Sequence, residues 1–238
     1  MFSAKRKGSV VEKIFNIPKI VFLAAIIVLT GGTVSMCESE NVIELPEPEY
    51  KSNVSVEQAL RERRSCRSFT GEPLTVQNVS QLLWAAQGVT NERGYRTAPS
   101  GGALFPLEIY VVVGNVVGVK NGIYRYKPGE HSLVPILMGD KRQELCDATL
   151  GQTFIKNVPI NIVFSAIYER ITKKYGERGK RYTHMEAGHA AQNVYLQSVS
   201  LDLGTVVVGA FRDNDVKKVV PMEENEHPLY IMPVGKKR

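Results

Sequence analysis

The stretch APSGGALFPLEIYVV, residues 98–112, joins a loop of small residues to a run of apolar and β-branched residues. Residues 90–106 are rich in glycine and proline, which predicts a long loop, and the LEIYVVV run predicts a buried strand. Glycines in such a loop let the backbone approach a flat ligand, because no other residue is smaller. The alternative interpretation of the same residues is an ordinary glycine-containing turn that precedes a strand.

Secondary structure can be predicted on both sides of this stretch. Ser55 and Gln58 predict a capping box at the start of the folded body, and Thr75 and Gly88 bound an amphipathic helix. Further elements are expected at residues 122–126 and 132–136 (a hairpin), 140–150 (helix), 159–168 (strand), 169–185 (a charged, mobile segment), 186–204 (helix), 205–211 (strand), 213–220 (helix) and 229–235 (strand). Strand and helix do not alternate strictly, which favours an α+β fold.

The charge of the chain is concentrated near its start. The net charge of the 238 residues is +6, and residues 1–37 hold five bases and one acid. Residues 38–238 hold 25 bases and 23 acids. This balance argues against nucleic acid as a partner, since phosphate-backbone binding needs a broad basic face.

Residues 1–37 are typical of a signal peptide or membrane anchor. Residues 20–37 are uncharged, bases precede them, and Glu38 and Glu40 follow. This pattern predicts a membrane-associated or extracytoplasmic protein. The alternative is a misassigned start codon and a cytoplasmic protein that begins near Ser52. The acidic, proline-containing residues 38–54 predict a linker, which leaves residues 55–238 as the folded domain.

No metal site is predicted. The three cysteines are far apart in sequence and form no C-x-x-C pair. His184 and His189 are five positions apart, which places them on different faces of a helix.

The segment RERRSCRSF, residues 61–69, contains four arginines with a serine and a cysteine between them. The planar guanidinium group makes paired, charge-assisted hydrogen bonds to phosphate, so the segment is a candidate phosphate site. The alternative is a solvated helix end, because the helix dipole favours cations there.

Three stretches together resemble the nitroreductase family of FMN enzymes: RRSCRSF, APSGGALFPLEIYVV and EAGHAAQN…GTVVVGAF…PVG. GIYRYKPGEHSL and HMEAGHAAQNVYLQ are most similar to the SagB-type dehydrogenase branch, known for oxidising azolines to azoles in peptides. The resemblance covers roughly residues 55–235. It implies a nitroreductase-like fold with a central, mostly antiparallel sheet flanked by helices. It also implies a homodimer with FMN between the subunits, hydride transfer through flavin N5, and NAD(P)H as electron donor.

The resemblance also implies which residues contact the flavin. Those for its phosphate and ribityl chain are Arg63, Arg64, Ser65 and Arg67, with Lys236 as a further base. Those from the second subunit's loop are Pro99, Ser100, Gly101 and Ala103, where Ala103 replaces the family's frequent asparagine. Those along the reactive edge of the ring are Val207, Val208, Gly209 and Ala210.

An acid/base pair is implied at Lys174 and Tyr175, because the SagB-type branch uses a lysine–tyrosine pair. Proton removal beside a hydride acceptor needs a base whose pKa is near neutrality. The alternative is that both side chains belong to a solvated basic surface.

Three function hypotheses therefore stand beside one another. The first is an FMN-dependent oxidoreductase acting on a peptide-borne or small-molecule substrate, including a nitro or quinone acceptor reduced with NAD(P)H. The second is a membrane-tethered flavin-binding or interaction domain without turnover, favoured by Ala103 and the short C-terminal tail. The third is nucleic-acid binding through the arginines, which predicts a colourless protein and steeply salt-dependent affinity.

Overall fold

A computed structural model describes residues 42–238, in which a seven-stranded sheet lies between two groups of helices. The strands are β1 (Ile43–Glu44), β2 (Leu107–Val113), β3 (Gly122–Lys127), β4 (Ser132–Met138), β5 (Ile160–Ile167), β6 (Leu203–Thr205) and β7 (Glu226–Lys236). Their order is β1-β4-β3-β2-β5-β7-β6, and each neighbouring pair is antiparallel. The predicted α+β class is confirmed.

Six helices accompany the sheet: α1 (Val56–Glu62), α2 (Val76–Gln87), α3 (Arg142–Ala148), α4 (Glu169–Tyr175), α5 (Arg178–Ser200) and α6 (Asp213–Val219). The predicted bounds of α2 are confirmed, since Thr75 caps it and Gly88 ends it. At α1 the hydroxyl of Ser55 accepts from the Gln58 N–H, but the Gln58 side chain donates to Glu62. The reciprocal half of the predicted capping box is therefore not formed.

The sheet has an apolar core on each face, because successive side chains of a strand point to opposite sides. In β2, Ile109, Val111 and Val113 pack with residues of α2 and α5. Tyr110 and Val112 pack on the other face, with residues of α3 and α6. This three-layer arrangement places α5 along one face of the sheet.

The charged segment 169–185 is helical, so the prediction of a mobile segment was wrong. Ile171 on α4 is fully buried, and a Cβ at Gly179 would lie 3.1 Å from the backbone of Ile171. Gly179 thus lets α4 and the first turn of α5 pack closely. Tertiary packing of this kind stabilises a helix whose charge pattern alone predicts none.

Helix α5 ends at Ser200, four residues before the predicted end at Gly204. Asp202 has a φ of 53°, which turns the chain, and Gly204 enters β6 opposite Gly235. Beyond β6 the expected strand is interrupted, and Val208 makes only an isolated bridge to Ile231.

Part of the predicted linker lies in the folded domain. Strand β1 pairs with β4, and Leu45 is buried in the core. The carbonyl of Pro46 accepts a hydrogen bond from the buried Ser80 hydroxyl. The leader predicted at residues 1–37 lies outside the described residues. Among residues 42–238, no helix combines the length and apolarity needed to cross a bilayer.

Candidate functional site

The arginine-rich segment lies against the edge of the sheet formed by β6. The Cys66 N–H donates to the Thr205 carbonyl at 2.9 Å, and the Arg238 N–H donates to the Ser68 carbonyl at 3.2 Å. A Cβ at Gly204 would lie 2.8 Å from the Cys66 sulfur. Only glycine at this position lets the segment lie so close to the strand.

Tyr195 on α5 joins the arginine segment to the residues that follow β6. Its hydroxyl is 3.1 Å from the Ser65 hydroxyl and accepts a 2.9 Å hydrogen bond from the Val207 N–H. The Arg63 guanidinium lies 5.5 Å from the centre of the Tyr195 ring. Two stretches more than 130 residues apart in sequence therefore meet at one side chain.

Sequence reasoning missed Tyr195, although it lies in the quoted HMEAGHAAQNVYLQ segment. A single tyrosine on a helix carries no pattern that marks it as a junction. Tyr195 follows the buried Ala187 by about two helical turns, and this spacing was the only available signal in the sequence.

Residues 207–210 form an open backbone edge beside Tyr195. Val208 exchanges backbone hydrogen bonds with Ile231, which holds the segment to β7. Gly209 and Ala210 are exposed, and their N–H groups have no acceptor within residues 42–238. A Cβ at Gly209 would contact only the Tyr230 ring, at 3.9 Å. Two backbone donors are thus available to a ligand.

The other expected phosphate contacts lie apart from Tyr195. The Arg64 guanidinium donates to the carbonyls of Arg61 and Arg63 at the end of α1. Arg67 and Arg238 line a separate polar cavity of about 490 Å³. Lys236 forms an ion pair with Glu72 at 3.2 Å. Of the predicted phosphate-site side chains, the structure brings Arg63 and Ser65 to the Tyr195 junction.

The predicted flavin loop, residues 99–103, has a strained backbone. Gly102, Ala103 and Phe105 have φ angles of 66°, 54° and 44°. Such angles are uncommon for residues with a Cβ, and they cluster where a fold holds a loop for function. The Ser100 hydroxyl accepts from the Phe105 N–H at 2.9 Å and closes the loop, with Pro99 exposed before it and Gly101 inside it.

The predicted acid/base pair lies directly beside this loop. A Cβ at Gly102 would be 2.7 Å from the Tyr175 hydroxyl and 3.1 Å from the Lys174 ammonium. The absence of a Cβ at Gly102 gives the ends of both side chains room beside the loop. Tyr182 on α5 completes the contact, since its Cβ would lie 3.7 Å from a Cβ at Gly101.

A buried carboxyl group that sequence reasoning missed lies beneath the loop. Glu186 on α5 is 2% exposed, and neither of its oxygens has a hydrogen-bond partner of ordinary geometry within residues 42–238. Burial raises the pKa of Glu186 to about 7, against the opposing effect of Ser100, Arg96, the Gly101 N–H and Gln87. Burial thus favours the protonated carboxyl more than in an exposed glutamate. A glutamate on an alanine-rich face was the available signal.

The Tyr195 junction and the loop lie at different places along α5. Tyr182 and Tyr195 are thirteen positions apart in this helix, which corresponds to about 20 Å. In one chain the loop therefore does not border the open backbone of residues 207–210.

The donors at Tyr195 fit a flavin nucleotide. Arg63 and Ser65 offer a guanidinium and a hydroxyl of the kind that bind phosphate, and Gly209 and Ala210 offer free N–H groups on an open edge. Among residues 42–238, no three His, Cys, Asp or Glu side chains are grouped to hold a metal ion.

Comparison with known proteins identifies the class. The nitroreductase family profile matches residues 60–236. A provisionally named nitroreductase of Methanocaldococcus jannaschii is 51% identical over 82% of this chain and 96% of its own length. The crystal structure of a similarly named Ralstonia eutropha protein superposes with a TM-score of 0.74 at 32% identity, covering 84% of this chain and 91% of that one. The chain belongs to the nitroreductase family.

Two comparisons with the microcin B17 system of Escherichia coli support the SagB-type branch of that family. The microcin B17-processing protein McbC is 26% identical over 63% of this chain and 58% of its own length. A chain of the microcin synthetase McbBCD complex, solved with truncated pro-MccB17 bound, superposes with a TM-score of 0.68 at 25% identity. That superposition covers 90% of this chain and 85% of the other. The predicted resemblance to the nitroreductase family and its SagB-type branch is confirmed.

Proposed function

We propose that this protein is an FMN-dependent oxidoreductase of SagB-type dehydrogenase character. When bound, the flavin would supply the redox chemistry by accepting and releasing hydride at N5. The observation that best supports the proposal is the meeting of Arg63, Ser65 and the open backbone of residues 207–210 around Tyr195.

In this proposal the chain binds and orients the cofactor at Tyr195. Arg63 and Ser65 would hold the flavin phosphate, with Arg64, Arg67 and Lys236 contributing positive charge nearby. The N–H groups of Gly209 and Ala210 would donate to the edge of the ring, where only small residues allow the backbone close. Val207 and Val208 would provide the apolar surface that excludes water from that edge.

The proposal includes a homodimer. Loop residues 99–103 lie about 20 Å along α5 from Tyr195, so a second copy is needed to bring such a loop to the open edge. Beside α5 runs a groove of about 1180 Å³ that is lined by residues of α2, α5 and 49–56. A partner subunit would fill this groove and place its Pro99, Ser100, Gly101 and Ala103 at the flavin.

Lys174 and Tyr175 would move the proton that accompanies hydride transfer. Both side chains lie against Gly102, and the Lys174 ammonium is 5.3 Å from the Tyr175 ring centre. Lysine and tyrosine are both among the side chains that serve as general acids or bases. The pair would therefore act where the partner's open flavin edge meets this loop.

Two substrate classes have support. A peptide-borne azoline is favoured by the likeness to a chain of a synthetase complex that was solved with a pro-microcin bound. A small nitro or quinone acceptor, reduced with NAD(P)H, is favoured by the relatives named as nitroreductases.

A spectroscopic experiment tests the proposal. The full chain is purified, incubated with FMN and desalted, and its visible spectrum is recorded with circular dichroism as the folding control. A yellow protein is expected that bleaches anaerobically with NADH, NADPH or an azoline peptide, each of which gives up a hydride, and that regains colour with a quinone. A folded protein that stays colourless would refute flavin binding. A yellow protein that neither donor nor substrate reduces would favour a flavin-binding domain without turnover.

A further inference from the structure

One of the concentrations of positive charge in the folded body lies at residues 169–185, and another is the arginine-rich segment of residues 61–69. Residues 169–185 contain six Lys or Arg and two Glu, whereas the rest of residues 38–238 contains 19 bases and 21 acids. These residues form α4, the turn at Gly176 and the first two turns of α5. The remainder of residues 38–238 therefore has a net charge of −2, although it includes the basic segment 61–69.

Most of these bases have no counter-charge. Arg170 pairs with Glu108, and Lys180 pairs with Glu177. The other four are exposed and form no ion pair with any residue from 42 to 238; they are Lys173, Lys174, Arg178 and Arg181. A group of like charges without partners destabilises a fold slightly. A binding role would explain why the chain carries this surface.

The bases that form no ion pair lie around the predicted flavin loop, residues 99–103. Arg178, Arg181 and Tyr182 share one face of α5 at spacings of three and four residues. The Arg178 guanidinium lies 5.9 Å from the Tyr182 ring centre, and the Tyr182 and Tyr175 rings are 5.3 Å apart. Since Tyr175 and Tyr182 both lie against the glycines of the loop, Lys174 and Arg178 lie beside it.

We propose that this basic corner, defined as Lys173, Lys174, Tyr175, Arg178, Arg181 and Tyr182, recruits an acidic peptide as substrate. The proposal rests on the proposed function, because it names the substrate class of the same site. Guanidinium groups pair with carboxylates in a two-point geometry. The two tyrosine rings offer a rigid platform for peptide side chains.

A peptide fits this corner better than a nucleic acid. Phosphate-backbone binding needs a broad basic face that follows the strand, whereas the rest of residues 38–238 has a net charge of −2. A short segment with several Asp or Glu flanking the reacting residue matches the extent of the surface.

The test measures peptide binding to the full chain by fluorescence anisotropy. The probe is a fluorescein-labelled decapeptide with four Glu, and its neutral counterpart carries Gln at the same positions. The corner variant is Lys173→Glu/Arg178→Glu/Arg181→Glu, and it leaves Lys174 in place. The control Lys120→Glu/Lys156→Glu/Lys218→Glu changes net charge equally at exposed positions elsewhere.

We expect the corner variant to weaken binding of the acidic peptide at least about 10-fold, and the control to weaken it less than about 2-fold. The neutral peptide should bind the wild type weakly and respond to neither variant. Equal losses in both variants, equal binding of both peptides, no binding of the acidic probe, or tighter binding of a labelled single-stranded oligonucleotide would each overturn the proposal. If the triple Glu variant does not fold, the Gln variant at the same positions replaces it.

The anisotropy measurement of peptide binding does not depend on whether flavin is bound. A colourless protein that prefers the acidic peptide would leave the basic corner in place and refute the proposed cofactor. A yellow, active protein without that preference would refute the basic corner alone.

Discussion

The two functional regions on α5 differ in how their polar groups are satisfied. Towards its C-terminal end, the Tyr195 hydroxyl contacts Ser65 and accepts from the Val207 N–H. Towards its N-terminal end, Glu186 is buried without an ordinary hydrogen bond, below a loop with positive φ angles at Ala103 and Phe105. The hydrogen bonds of the first region hold its segments together, which favours a rigid surface. The second stores strain and a titratable group, which is typical of positions that take part in reactions.

The largest expected effect is at the binding region. The double variant Arg63→Ala/Arg67→Ala should weaken FMN binding by about 10- to 150-fold, because loss of the charge-assisted hydrogen bond from Arg63 to phosphate costs roughly 1.5–3 kcal/mol and Arg67 contributes only charge from a separate cavity. Flavin fluorescence quenching during titration measures the dissociation constant. The control Arg61→Ala/Lys120→Ala removes the same charge and should change that constant little. Normal flavin content in the double variant would contradict our assignment of the arginine segment.

The second largest effect is expected at the buried carboxyl group of Glu186, which changes how stability depends on pH. The pKa of Glu186 is raised to about 7 from an ordinary 4.5, so the folded state favours the protonated form. The stability that this form contributes is complete below pH 4.5 and is lost as pH rises through 7. Glu186→Gln, which mimics the protonated group, should therefore exceed the wild type in unfolding free energy at pH 8 by about 2–3 kcal/mol.

Urea unfolding at pH 5 and pH 8 measures this difference. At pH 5 the two proteins should be closely similar in stability. The control Glu169→Gln, at an exposed position of α4, should leave the pH dependence of the wild type unchanged. An equal pH dependence in wild type and Glu186→Gln would show that the carboxyl is already ionised in the folded state.

Tyr195→Phe tests the junction itself. Loss of the hydroxyl leaves the Val207 N–H without its acceptor, which should lower the free energy of unfolding by about 1–2 kcal/mol. Chemical denaturation measures the change. Tyr50→Phe alters an exposed tyrosine and should change stability by less than about 0.5 kcal/mol. A Tyr195→Phe protein as stable as the wild type would mean that water replaces the hydroxyl.

The smallest effect concerns loop strain. Ala103→Gly removes the Cβ from a residue with a φ of 54° and should raise the free energy of unfolding by about 0.5–1 kcal/mol. Thermal unfolding measures it as a rise in Tm. Ala59→Gly, inside α1, should have the opposite sign, by about 1 kcal/mol. A fall in Tm for Ala103→Gly would mean that the methyl group makes contacts that outweigh the strain.

Much of the fold could be predicted from local patterns. The caps at Thr75 and Gly88 bounded α2 correctly, and the β-branched run at residues 107–113 identified β2. The segment 169–185 could not be predicted as helical, because its stability comes from the burial of Ile171 and the close packing at Gly179. The same holds for residues 42–50, whose pairing and burial depend on a strand almost 90 residues away.

By itself, the sequence determined the family, the α+β class and the residues around which the site was sought, because those depend on motifs that are contiguous in the chain. Tertiary structure alone decided that Tyr195 joins Ser65 to Val207, that Glu186 is buried beneath the loop, and that Arg67 lines a cavity apart from the Tyr195 ring beside which Arg63 lies. Burial and hydrogen bonding between distant segments are properties of the packed chain, and no local pattern of residues specifies them.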